Sequence, residues 1–334
     1  MNVLLLTDSG LSFRSDYPSP VVQAGEALIR ARAVGICATD LALLQGYKGG
    51  YRGVLGHEFV GDVIAAPTAP EWIGRRVVGE INIGCGDCAL CERGLGKHCH
   101  ARRTLGIINK DGAMADYFTL PVANLHEVPP TVSDEAAVFT EPLAAALEIL
   151  EQVHIGPEMR VILIGSGKLG LLVAQILALT GCDLTVIGRN AETLALLESW
   201  KLCKTVLTAT AEYDALPRYD ADVVVEATGT PAGFLQAREF VRPGGTIILK
   251  STFAGNAIPV DLNNMVVNEV TVLGSRCGPF APALRLLERE QIQVLPMVQA
   301  TYALHEGVAA LEHAEQRGVL KILIRPDATA QADA

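Results

Sequence analysis

The stretch that most limits what this chain can fold into is Val161-Ile-Leu-Ile-Gly165-Ser-Gly167-Lys-Leu-Gly170. Four apolar residues run into glycines spaced G-x-G-x-x-G, and Leu169 to Leu179 continues as a plausible apolar helix. A strand, a glycine turn and a helix in that order open a dinucleotide-binding unit. Gly165 permits the sharp turn, Gly167 lets backbone approach a pyrophosphate, and Gly170 lets helix and strand pack closely. The N–H groups of Ser166, Lys168 and Leu169, at the positive end of the helix, would face the phosphates. The same spacing also serves as a plain tight turn in an α/β sheet, so its neighbours must decide.

Downstream of it, strands and helices alternate. Strands are expected at Leu184 to Ile187, around Val206, and at Val223 to Glu226, Thr246 to Leu249 and Val270 to Leu273. Helices are expected at Ala191 to Lys201 and Ala232 to Val241. This βαβ alternation predicts a parallel, doubly wound sheet. Residues 1 to about 140 read as β-rich and irregular. Val21, Val22 and Ala27 to Ala33 alternate with polar residues, and short strands are expected within Gly53 to Ile64, Gly74 to Gly79 and Met114 to Leu120. Ser133 is a good helix cap, and Pro142 either breaks the following helix or begins a second one. Past Gly278 come two helices, Pro282 to Glu290 and Leu304 to Arg317, then a strand from Leu320 to Ile324 and an Ala-rich tail expected to fray.

Half of the 334 residues are hydrophobic, enough for about two domains with large cores. The formal net charge is -10 and there is no long basic run, which argues against nucleic acid or an anionic membrane as partner. No apolar stretch reaches the length of a membrane span, and the first residues lack the basic flank of a signal peptide. A cytoplasmic protein is the expectation.

Cys85-Gly-Asp-Cys88-Ala-Leu-Cys91, with Cys99 following, is the most specific chemical signal. Four thiolates on one short loop can close a tetrahedral zinc shell, and a shell without an open position is structural. Thiolate ligation of an iron–sulfur cluster needs the same count, and a redox dithiol is a further alternative. Two smaller pieces precede the loop: Gly35-Ile-Cys37-Ala-Thr39-Asp40 and Gly56-His57-Glu58. A catalytic zinc takes three protein ligands and keeps one position open. Cys37, His57 and either Glu58 or Glu141 could supply them, although a lone Cys or His is more often packing. An acid is expected at the end of the second strand of an NAD site, to bind the ribose hydroxyls. Here that strand ends in Gly188-Arg189, which leaves room for a 2′-phosphate paired with Arg189, so NADP is favoured over NAD.

These pieces fall in one order along nearly the whole chain, and the order resembles the zinc-dependent medium-chain dehydrogenases. The matching motifs are Gly35 to Asp40, Gly56-His57-Glu58-Phe-Val-Gly61, the four-cysteine loop, Glu141-Pro142-Leu143 and the glycine turn. The resemblance implies a GroES-like, β-rich zinc-binding catalytic domain (residues 1–141 and 278–334) and a doubly wound Rossmann domain (142–277). It implies an active site in the cleft between them. It implies two zinc ions per chain: one catalytic, on Cys37, His57 and either Glu58 or Glu141, and one structural, on Cys85, Cys88, Cys91 and Cys99. Asp40 would orient His57 from behind. Thr39 would pass the alcohol proton, although Ala42 stands where many members continue the relay with histidine. Thr228, Ser251, Ser275 and Arg276 at strand ends, and Lys321, would contact the cofactor.

The implied reaction moves a hydride between an alcohol or polyol and a nicotinamide cofactor, with a Lewis acid polarising the substrate oxygen. The expected partners are that small molecule and further copies of the chain, as a homodimer or homotetramer, with Val266 to Leu273 a candidate contact. Two other readings stay open: a non-catalytic nucleotide-binding protein that keeps only the structural zinc, and a zinc-independent reductase of activated double bonds.

Overall fold

In the computed structural model, residues 1–252 and 260–326 are described. The Ala-rich tail expected to fray lies outside them. The chain separates into two compact units, Met1–Glu141 with Phe280–Ala334, and Pro142–Pro279.

The first unit is built from short strands. β1 (Val3–Thr7), β2 (Gly10–Arg14) and β4 (Gly53–Val54) form one antiparallel sheet. A larger sheet is centred on β3 (Glu26–Gly35), which pairs antiparallel with β5 (Glu58–Ala65) and, over its first half, with β9 (Tyr117–Pro121). β6 (Arg76–Gly79) and β10 (Leu125–Glu127) extend it beyond β5. β7 (Asn82–Ile83) and β8 (Arg103–Thr104) pair at the base of the cysteine loop. β3 alternates core and surface residues, and Leu4, Ile29, Ile36, Leu43, Phe59 and Met114 fill one continuous core. Val21 and Val22 belong to no strand, contrary to expectation, and Val21 is 75% exposed. Proline at 20 and glycine at 25 bound too short a run for the alternation to be used.

The second unit is a six-stranded parallel sheet. β11 (Arg160–Ile164), β12 (Asp183–Gly188), β13 (Lys204–Leu207), β14 (Ala221–Glu226), β15 (Val241–Leu249) and β16 (Thr271–Gly274) lie in the order β13-β12-β11-β14-β15-β16. The order reverses direction at β11, so β11, β12 and β14 meet at a topological switch point, where ligands of open α/β sheets bind. The helix Lys168–Ala178 follows β11 directly, and Gly170 to Leu177 are all buried. No helix among the described residues is long and apolar enough to cross a membrane.

Ser133 caps the short helix Asp134–Ala137 through its side chain, and a second helix, Thr140–Gln152, begins with Pro142 in its first turn. Proline is tolerated there because its missing N–H has no helical partner to lose. The chain then returns to the first unit. β17 (Val298–Ala303) and β18 (Lys321–Arg325) run parallel to each other, and β18 pairs with the end of β3. β17 was not expected. The helix foreseen from Leu304 to Arg317 is a 3-10 turn, Leu304–Glu306, continued by the helix Gly307–Glu315.

Candidate active site and metal centres

β3 ends at Gly35, and Cys37 starts the helix Ala38–Leu44 as its N-cap. His57 and Glu58 lie where β5 begins, paired beside the end of β3. The pairing brings one donor atom each from Cys37, His57 and Glu58 within 4.8 Å of one another. Glu141, the other candidate carboxylate, is not in that group of three. Cys37 and Thr39 are half-buried, whereas His57 and Glu58 are 2% and 1% exposed.

Asp40 ties the two segments together. Its carboxylate is fully buried and accepts the Cys37 N–H at 2.9 Å and the Gly56 N–H at 3.3 Å. One of its oxygens also lies 3.4 Å from His57 Nδ1, close enough to attract the ring without forming an aligned hydrogen bond. Burial lowers the His57 pKa, but Asp40 and Cys37 outweigh it and hold the ring well above the ordinary histidine value.

Lys321, expected near a cofactor pyrophosphate, has its ammonium buried against Glu58 in an ion pair, 5.3 Å from the centre of the Phe139 ring. β18 pairs with the end of β3 and so delivers Lys321 to this place. Burial lowers the Lys321 pKa, yet Glu58, Cys37 and Asp40 more than reverse it. Both pKa values are therefore raised against the pull of burial by the acidic groups around them. That marks a strongly negative local field, one that a divalent cation would neutralise. Thiol, imidazole and carboxylate together are a donor set that zinc accepts. Gly35 makes the approach possible: a Cβ there would sit 2.7 Å from Val138 and 2.8 Å from Glu58 Oε2.

The second metal candidate is Cys85, Cys88, Cys91 and Cys99, whose sulfurs also gather within 4.8 Å. Four of their separations are 3.9, 3.6, 3.8 and 3.5 Å, and all eight cysteines are free thiols. A tetrahedron with zinc–sulfur bonds of about 2.3 Å has edges of about 3.8 Å. The thiols share protons unevenly. The backbone amide of Cys91 helps to bring Cys88 down to about 7, while hydrogen bonding with Asp87 raises Cys85 to about 12. The residues present therefore fit a closed tetrathiolate shell, while Cys37, His57 and Glu58 fit an open one.

In the second unit, Gly165 has φ +112°, and a Cβ on Gly170 would fall 2.0 Å from the Gly165 carbonyl oxygen, so both positions require glycine. Gly167 is exposed, with open space where a Cβ would be, at the start of the Lys168–Ala178 helix. That is the cradle a pyrophosphate needs. Lys168 and Leu169 open the helix half-buried, and Ser166 is buried. Arg189 is exposed directly after β12 and has no ion pair or hydrogen bond among the described residues.

Thr228, after β14, donates its backbone N–H to Glu226 at 2.7 Å. Glu226 was not anticipated. It is fully buried, one carboxylate oxygen gathers the Thr228–Gly229 turn, and the other has no hydrogen-bond partner. Burial raises its pKa. Ser275 is buried and accepts a hydrogen bond from Lys250 at 3.0 Å, while Ser251 and Arg276 are half-buried at neighbouring strand ends.

Residues 23–130 match the model of the alcohol dehydrogenase GroES-like domain, and residues 169–289 that of the zinc-binding dehydrogenases. The chain is 27% identical to sorbitol dehydrogenase of Halalkalibacterium halodurans, over 98% of its own length and 99% of that protein. It is 30% identical to erythritol/L-threitol dehydrogenase of Mycolicibacterium smegmatis, over 80% of its own length and 82% of that protein. Among solved structures, a zinc-binding dehydrogenase of Sinorhizobium meliloti bound to NADP is similar with a TM-score of 0.89 and 28% identity, covering 97% of this chain and 99% of that one. The half-buried cysteine, the buried histidine and the glycine cradle thus stand in a chain that belongs to the zinc-dependent medium-chain dehydrogenases, oxidoreductases that exchange a hydride between alcohols or polyols and a nicotinamide cofactor.

Proposed function

We propose that the chain oxidises a polyol, or reduces the matching carbonyl compound, with NADP as the preferred cofactor and two zinc ions per chain. The observation that carries this reading is the convergence of Cys37, His57 and Glu58 over buried Asp40. The names of its sorbitol and erythritol/L-threitol dehydrogenase relatives favour polyols. Cys37, His57 and either Glu58 or Glu141 would hold the catalytic ion, which when bound supplies Lewis acidity toward a hydroxyl or carbonyl oxygen. Exchange between the two glutamates, or a bridging water, would complete the shell.

Asp40 anchors the backbone of both ligand-bearing segments and presents a negative charge to the His57 ring. Thr39 takes the substrate proton on its hydroxyl and passes it outward. Ala42 has no group to receive it, so the proton continues through water, cofactor ribose or another side chain. In the second unit the amides around Gly167 would hold the pyrophosphate, with Thr228, Ser251, Ser275 and Arg276 near the ribose or nicotinamide. Cys85, Cys88, Cys91 and Cys99 would hold the second ion and fix their loop.

Metal analysis and a polyol panel assayed with NAD and with NADP test the reading. Wild-type protein should carry about two zinc ions per chain, and Cys37→Ala about one, with loss of alcohol oxidation. Unchanged oxidation in that variant would defeat the assignment.

Three observations support NADP: the missing acid at Gly188, an Arg189 without a partner among the described residues, and NADP in the similar Sinorhizobium meliloti structure. Arg189→Ala should weaken NADP roughly 10- to 150-fold, the range for losing charged hydrogen bonds, and barely affect NAD. Equal losses for both would remove the phosphate role.

Self-association is part of the same proposal. β16 is an edge strand with Val272 40% exposed, and Leu262, Val266 and Val267 on the helix Leu262–Val267 are 68, 75 and 71% exposed. Such an edge is a template for pairing with a second copy. Light scattering should report a dimer or tetramer that Val266→Asp weakens.

A further inference from the structure

We infer that the buried hydroxyl pair Ser166–Thr193 determines cofactor choice, by filling the space that a side chain at position 188 would need. The inference rests on the NADP reading above and names the residues that enforce it. Position 188 ends β12, where an acid would bind the ribose hydroxyls of NAD. Gly188 does not have a left-handed backbone, so it is glycine for want of space. A Cβ there would lie 2.3 Å from Ser166 Oγ, 2.9 Å from Ser166 Cβ and 2.9 Å from Leu194 Cδ2.

Leu194 offers only the tip of a flexible side chain, but Ser166 cannot swing aside. It is 5% exposed, and its Oγ lies 2.7 Å from Thr193 Oγ1. The Thr193 hydroxyl donates to the Asn190 carbonyl at 3.0 Å. That uses its single proton, so Ser166 is the donor within the pair. Rotating Ser166 away would leave its O–H without its acceptor in a buried site, and rotation does not move Ser166 Cβ, itself 2.9 Å from the added Cβ. The turn is held from other sides too. The Thr208 N–H donates to the Gly188 carbonyl at 2.9 Å, and Asn190 Oδ1 accepts the Glu192 N–H at 2.8 Å.

The middle residue of this turn is Arg189, exposed and unpaired among the described residues. The hydroxyl pair thus does two things at once. It bars a carboxylate that would repel a 2′-phosphate, and it fixes the backbone from which the guanidinium reaches one. The specificity element is therefore Ser166, Gly188 and Thr193 together, and adding an acid at 188 alone cannot convert the site.

A double-mutant cycle tests this on the full-length, zinc-loaded protein, with NAD and NADP affinities measured by calorimetry. Gly188→Asp alone should weaken both cofactors about tenfold or more, because the strand end is displaced. In a Ser166→Gly background, which removes both Ser166 atoms from the way, the same substitution should strengthen NAD about tenfold and weaken NADP. Gly188→Ala covers the case in which the aspartate variant fails to fold. It should lower the melting temperature in the wild-type background and much less beside Ser166→Gly.

Equal effects of the position-188 substitutions in both backgrounds, or no gain of NAD affinity in Gly188→Asp/Ser166→Gly, would overturn the inference. If the wild type binds NAD at least as tightly as NADP, the NADP reading fails. Coupling between 166 and 188 in the melting temperatures would then still report the steric exclusion.

Discussion

The buried pair of Lys321 and Glu58 can be tested by removing one charge and then both. Lys321→Met keeps the apolar stem but takes away the ammonium. In protein stripped of metal by a chelator, the Glu58 carboxylate, 1% exposed, then has neither its counter-ion nor water. Leaving one member of a buried ion pair uncompensated costs about 3–5 kcal/mol. For a unit of 150–250 residues each kcal/mol moves the melting point by roughly 2–4 °C, so the expected fall is about 6–20 °C. Glu58→Gln in the same chain removes the stranded charge and should recover most of that loss, since neutral replacements of whole buried pairs are often harmless.

The chain has two tryptophans, and Trp72 lies in the same unit as the pair while Trp200 does not. Urea unfolding of the metal-free protein, followed by Trp72 fluorescence in a Trp200→Phe background, therefore reads the relevant transition, with the removal of zinc verified alongside. A loss below about 1 kcal/mol, the worth of a surface pair, would refute the uncompensated-charge argument. So would a double variant no more stable than Lys321→Met.

Two further outcomes follow from the first unit. Cys99→Ser removes the fully buried member of the four-cysteine cluster. It should cost about one zinc per chain and open residues 85–99 to proteolysis, leaving the Cys37 site loaded; unchanged metal content would contradict a tetrathiolate shell. Glu26 is paired with Lys110 at 2.8 Å, where burial raises its pKa but Lys110 prevails and holds it below the ordinary value. Its contribution to stability is complete above the unfolded carboxylate pKa, about 4.3, and is lost as pH falls through the lower folded value. Wild type should exceed Glu26→Gln in stability by about 1–3 kcal/mol at neutral pH. The gap should close below about pH 4, as acid unfolding would show.

The glycine turn, the cysteine loop and the alternation of the second unit were legible because each is a local pattern. Four thiols within 15 residues, or a strand running into a glycine turn, need no knowledge of the rest of the chain. Cys37 and His57 were legible as a resemblance, while their approach depends on the pairing of β3 with β5. The Lys321–Glu58 contact spans 263 positions and leaves no trace in local periodicity. β17 alternates Val298, Ala300 and Tyr302 with polar Gln299 and Thr301, but the run is short and only partly buried, and Ala300 and Tyr302 reach the core through the pairing with β18. Glu226 was read as the end of an apolar strand; that its carboxylate organises the next turn depends on Thr228 and Gly229 folding back onto it.

The return of β18 to the first unit bears on how the protein is made. A ribosome finishes Met1–Glu141 long before it reaches Lys321, and at about 5–20 residues per second that interval is roughly 10–40 s. Throughout it the end of β3 lacks its β18 neighbour and Glu58 lacks its cation. The second unit, continuous in the chain, can meanwhile close its own sheet. The segment bearing Cys37 and His57 therefore waits in an unfinished state, with negative groups uncompensated and a strand open to pairing with other chains. Truncation just before Leu320 would freeze it there, and translation with limiting zinc would prolong the period in which aggregation competes with completion.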